Sequence, residues 1–123
     1  MPASFSSTSY TPDGLLVGED VVLSRQITLI SGQNCARGAV LGKITASGKY
    51  TLSLSASSDG SQTPDVVLAE ATDASSADKV TMAYFNGGFD EAKLTLGTAH
   101  TAASIREGLR AKGINLITVQ TTY

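Results

Sequence analysis

The sequence predicts a mostly β chain with one short α-helix near its C-terminal end, and three observations predict it. Apolar and polar residues alternate singly in several short segments, the period of a strand with one covered face. Clusters of Gly, Pro, Asp and Ser punctuate the chain at intervals suited to strands and turns. Residues 101–112 alone repeat their apolar side chains convincingly at helical spacing.

Residues 1–14 are mainly Ser, Thr, Pro and Gly with two isolated aromatics, Phe5 and Tyr10. Such a composition buries too little apolar area to balance its ordering entropy. The expectation is therefore a flexible arm over residues 1–16, with Leu15 and Leu16 at the junction, ahead of one β-rich domain over residues 17–123. Isolated aromatics in such an arm are the usual anchors when it orders on a partner. The plain alternative is a tail without a role.

In the domain, Val21, Leu23, Ile27 and Leu29 share one parity while Ser24, Gln26 and Thr28 share the other, as in a half-buried strand. The run 37–44 carries Gly38 and Gly42 around short apolar residues, and Ser47-Gly48 punctuates it before Tyr50, Leu52, Leu54 and Ala56 alternate with Thr51, Ser53 and Ser55. The pattern is strand, turn, strand. Ser58-Asp59-Gly60 and Thr63-Pro64-Asp65 are turn chemistry, and the unbroken Val66-Val67-Leu68-Ala69 suits a strand covered on both faces, where the core should centre.

Residues 73–78 read as a polar loop. Val80, Met82 and Tyr84 then alternate with Thr81, Ala83 and Phe85 up to Asn86-Gly87-Gly88. Asn-Gly supplies the positive φ of a tight hairpin, so Phe89 should open the return limb, and Leu94 and Leu96 another short strand. In the helix, Ala102, Ile105 and Leu109 form one face, Thr101 can cap its start and Gly113 its end. Gly108 inside it should cost about 1 kcal/mol relative to Ala unless close packing requires it. Residues 114–119 close the chain as a last strand.

The bulk numbers exclude several classes. At 123 residues the chain has the length of one domain. Its net charge of −2 and the lack of any Lys/Arg cluster leave no footprint for a phosphate backbone, so no nucleic acid partner is expected. No apolar run reaches the ~18 residues of a membrane span, and the start of the chain has no signal-peptide pattern. Cys35 is the one cysteine, which rules out an intrachain disulfide and fits synthesis in a reducing cytoplasm. Charged residues make up only 16%, and a weakly charged surface of small residues suits packing against neighbours.

Individual residues offer little chemistry. His100 is the single histidine, without a spaced metal motif, and reads as a loop residue; no metal and no cofactor are expected. Cys35 and His100 could pair as nucleophile and base, but free cysteine is usually a small buried hydrophobe. Asp59, Asp65, Asp78 and the pair Asp90-Glu91 stand beside turn residues and read as turn caps. Arg37, beside Gly38, is open between a recognition residue and a solvated charge. No catalytic residue is assigned, and the chain is expected not to be an enzyme.

The ordered series Arg37-Gly38-Ala39-Val40-Leu41-Gly42-Lys43-Ile44, Ser47-Gly48-Lys49-Tyr50, Asp59-Gly60-Ser61-Gln62-Thr63-Pro64 and Val67-Leu68-Ala69 resembles the lambda-type head decoration proteins of tailed bacteriophages. The limb 80–85 through Gly88-Phe89 to Leu94, then a helix, Gly113 and an apolar strand, continues the likeness over roughly residues 36–119. The resemblance implies a β-clip-like fold and a homotrimer on the outer surface of the virion. That trimer would sit at local threefold sites of the expanded head, bound to the major capsid protein, and cement the shell against internal DNA pressure. Phe5, Tyr10, Leu15 and Leu16 are the expected capsid-binding residues, assigned by location and composition. A carbohydrate-binding phage module, marked by exposed aromatic platforms, and a trimeric hydrolase, marked by a clustered acid-base set, are the alternatives.

Overall fold

The computed structural model describes residues 15–17 and 22–118. Phe5, Tyr10 and Val21, together with the rest of the expected arm before Leu15, lie outside the described residues. The first five strands are β1 (Leu16–Val17), β2 (Ser24–Leu29), β3 (Gln33–Cys35), β4 (Val40–Lys43) and β5 (Tyr50–Leu52). After them come β6 (Pro64–Leu68), β7 (Thr72–Ala74), β8 (Lys79–Tyr84), β9 (Gly87–Asp90), the helix α1 (Ala102–Arg110) and β10 (Ile114–Ile117). The chain is mostly β with one short helix near its end, as its sequence predicts.

Strands β2-β5-β4-β6-β8 close into a barrel, β1-β9-β10 form a second sheet and β3 pairs with β7. The double-sided run at 66–68 explains why these parts cohere. Val66 and Leu68 join Ile27, Leu29, Leu41 and Tyr50 inside the barrel. Val67 joins Val40, Phe89, Ile105, Leu109 and Ile114 in a second core under α1 and the small sheet. Strands β4 and β6 are thus the wall between two cores, and Val66, Val67 and Leu68 are all fully buried. Each contributes about 1.5–3 kcal/mol of apolar burial.

The helix follows its local signals. Thr101 Oγ1 accepts the Ser104 N–H at 3.1 Å while Ser104 Oγ accepts the Thr101 N–H at 2.9 Å, a reciprocal cap. Ile105 and Leu109 are buried, and Gly113 takes φ +89° just beyond the end.

Elsewhere the structure departs from the local pattern. In β8 the inward residues are Thr81 and Ala83, and Val80 is 63% exposed. The register with β2 sets Thr81 opposite Ile27 and turns it inward, and the Thr81 hydroxyl is satisfied by Thr72 Oγ1 at 2.7 Å. Strand β5 ends at Leu52, so Ser53 turns inward and Leu54 outward. The expected loop at 73–78 begins as a strand, with Asp73 opposite Asn34 in the β3–β7 pair. Asp65 belongs to β6 rather than to a turn. In place of a strand at 94–96 there is an isolated parallel bridge, Ala39 to Thr95.

Asn86-Gly87 makes no hairpin. Asn86 Oδ1 accepts the Leu23 N–H at 2.6 Å, and the Gly87 N–H donates to the Gly113 carbonyl at 3.0 Å. The chain therefore leaves the barrel here, and β9 pairs with β1 and β10 instead of β8. Gly88 has no room for a side chain, since a Cβ would lie 2.7 Å from the Val17 carbonyl oxygen and 2.9 Å from Ile117 Cδ1.

Candidate partner-binding surface

The segment 15–17 is joined to the small sheet. The Asp90 N–H donates to the Leu15 carbonyl at 2.8 Å, Leu16 lies opposite Phe89 and Val17 opposite Gly88. Leu15 is 2% exposed within the chain's own second core, and Leu16 packs against that core half-buried. The sequence counts both with the arm; the structure places both in the folded sheet because their side chains cover Phe89, Val40 and Val67.

The register of that sheet fixes where the chain ends emerge. β1 runs antiparallel to β9 and β10 runs parallel to it, with Leu16 and Leu116 both opposite Phe89 and Ile117 opposite Asp90. The N-terminal side of Leu15 and the C-terminal side of Ile117 therefore leave from the same end of the sheet, on either side of β9. Two strand spacings separate them, about 10 Å. Sequence alone does not reveal this, because it depends on a parallel pairing across the whole chain.

Each residue singled out for chemistry has structural work. Arg37 Nη1 donates to the Ala69 carbonyl and to the Tyr84 hydroxyl, both at 2.7 Å, with the guanidinium over the Tyr84 ring, so it ties the β3–β4 loop to the barrel. Cys35 is buried, and desolvation raises its thiol pKa, the reverse of an activated nucleophile. His100 Nε2 lies 3.1 Å from Ser53 Oγ, a contact that resembles a base on a nucleophile. The Ser53 hydroxyl, however, is fully buried and donates to the Ser61 carbonyl at 2.7 Å, which leaves His100 as the donor.

The carboxylates are likewise engaged. Asp59 accepts from Ser61, which holds it below the usual carboxylate range. Asp78 accepts from Lys49 and from the Ser31 N–H, with the same direction of shift. Asp90 caps the turn that follows β9, and Glu91 pairs with Arg106 on α1.

A groove the sequence does not disclose opens on the barrel where β2 parts from β5, with a volume of about 530 Å³. Arg25, Gln26, Thr28, Lys43, Tyr50 and Asp65 line it. Asp65 is held by Lys112 at 2.8 Å and by the Tyr50 hydroxyl at 3.2 Å. Burial first, then the Asp65 charge and hydrogen bond, push the Tyr50 phenol up to about 12. Tyr50 is buried and the Phe85 ring is covered by Arg25 at 4.6 Å, so neither ring is a bare aromatic platform. Among the described residues no helix is long and apolar enough to cross a membrane.

No curated protein matches the chain. The family model for bacteriophage lambda head decoration protein D matches residues 4–115. The match spans nearly the whole chain, and the protein belongs to the lambda head decoration protein D family of bacteriophages.

Proposed function

We propose that this chain cements the expanded phage head, as a homotrimer at local threefold sites on the outer surface of the virion. Residues 1–14 order on the major capsid protein by adding backbone hydrogen bonds to an exposed strand edge, and Phe5 and Tyr10 fill pockets there. Leu15 and Leu16 form the root through which the arm's hold reaches the domain core. The observation that carries this reading, beside the family match over residues 4–115, is that both chain ends leave one end of the β1-β9-β10 sheet. One end of the domain thereby faces the shell and the opposite end faces outward.

Binding the mature shell and not its dismantled form stabilises by linkage, about 2.7 kcal/mol per site at a free concentration one hundred times Kd. Three arms on one trimer raise the effective affinity by about 10² or more, since the second and third contacts are intramolecular. Sedimentation of the chain alone and with expanded, undecorated heads of its phage tests the reading. A soluble trimer that saturates the heads and raises their melting temperature supports it; a monomer that ignores them refutes it.

A further inference from the structure

The barrel closes with an unequal seam. β2 pairs with β8 along all six of its residues but meets β5 only at Leu29 opposite Tyr50. The phase of the bonding is fixed at both ends. The Phe85 N–H donates to the Leu23 carbonyl, so the odd residues of β2 exchange bonds with β8. The Ile30 N–H donates to the Tyr50 carbonyl, so the even residues face β5. On the Ser24 side of Leu29 no described strand pairs with this edge, so the N–H and C=O of Ser24 and Gln26 and the N–H of Thr28 point away from β8, those of Gln26 and Thr28 at the groove.

The groove is also positively charged in a chain of net charge −2. Among the described residues Arg25 and Lys43 take part in no ion pair, while the one carboxylate lining the groove, Asp65, is already held by Lys112 and Tyr50. Charged side chains at an open edge keep it from pairing with like edges. The same charges favour an edge partner of opposite sign.

We infer that the open edge of β2, from Ser24 to Thr28, docks an extended acidic peptide segment by strand addition, with the segment's carboxylates against Arg25 and Lys43. The edge spans about 13 Å, the reach of four to five extended residues. The site lies on the barrel and not on the β1-β9-β10 sheet, and the inference does not rest on how residues 1–14 bind.

The test is a titration of the full chain, followed by amide NMR, with a capped peptide of about six residues alternating Thr and Glu, and with its Thr-Lys counterpart. The acidic peptide should give saturable shifts at the Gln26 and Thr28 amides, and the lysine peptide none. Arg25→Gln and Lys43→Gln should each weaken the acidic peptide about tenfold, with the rest of the spectrum unchanged, whereas Arg110→Gln on the far helix should not. Equal binding of both peptides, or shifts confined to other strands, would overturn the inference. So would protection of the Gln26 and Thr28 amides from exchange in the chain alone, because another copy or another part of this chain would then already occupy the edge.

Discussion

The Leu15 carbonyl accepts the Asp90 N–H at 2.8 Å, and with Leu16 opposite Phe89 and Val17 opposite Gly88 it ties the start of the folded domain to β9. A pull on the chain before Leu15 is transmitted into β9, which is flanked on its other side by β10. β1 is thus an edge strand bonded to the middle strand of a sheet whose side chains fill the second core.

Leu15→Ala should cost about 2–5 kcal/mol, because the side chain is buried among Val40, Val67 and Phe89 and its removal leaves a cavity. Phe5→Ala and Tyr10→Ala should stay within about 0.5 kcal/mol of the parent in the same denaturant titration, yet weaken binding to heads. A loss of stability in either aromatic variant would mean that the arm packs on its own domain.

Glycine substitutions should divide by the space around them. A Cβ at Gly42 would lie 2.1 Å from the Ser61 carbonyl oxygen and one at Gly97 1.9 Å from that of Ser53, so Ala at either site should destabilise by about 1–3 kcal/mol or more. Gly108 has nothing within 4 Å, and Gly108→Ala should stabilise by up to about 1 kcal/mol through helix propensity. Thermal melts of the three variants decide it.

Alkaline stability should depend on Tyr50. Its folded-state pKa is raised from 10 to about 12, so the protonated phenol is favoured by folding. The resulting stability is whole below pH 10 and is lost as pH rises through 12. Tyr50→Phe should flatten that part of the profile relative to the parent while losing about 1 kcal/mol at neutral pH with the Asp65 hydrogen bond. Parallel profiles for the two proteins above pH 10 would count against the buried phenol.

Ser53→Ala should destabilise by about 1–3 kcal/mol, since the Ser61 carbonyl loses a buried donor and His100 loses its acceptor. If Ser53 were instead a nucleophile, the variant would keep its stability, and the parent would react with a serine-directed acylating probe.

What was legible in the sequence is what is local. The Thr101 cap, the Ile105 and Leu109 face and the two-sided run at 66–68 need only their neighbours, and all three stand in the structure. Val80 and Thr81 misread because the register of β8 on β2, with Thr81 opposite Ile27 and Ala83 opposite Arg25, decides which parity faces the barrel, and that register is not local. Asn86-Gly87 carries a hairpin signal that is overridden by Leu23 and Gly113, partners no local pattern can point to. The β3–β7 pair has three residues per strand and no apolar alternation to read. Phe5 and Tyr10 stand out by composition, but the common exit of the two chain ends, and the meeting of Arg25 with Lys43, arise only when distant strands pair.

The most direct measurement is co-sedimentation of a chain lacking residues 1–14, with Leu15 retained, against expanded undecorated heads, beside the full chain at equal concentration. The account predicts a folded trimer, with circular dichroism and sedimentation unchanged, that no longer pellets with the heads. Binding of the truncated trimer at the parent's affinity would contradict it and transfer the shell contact to the domain surface.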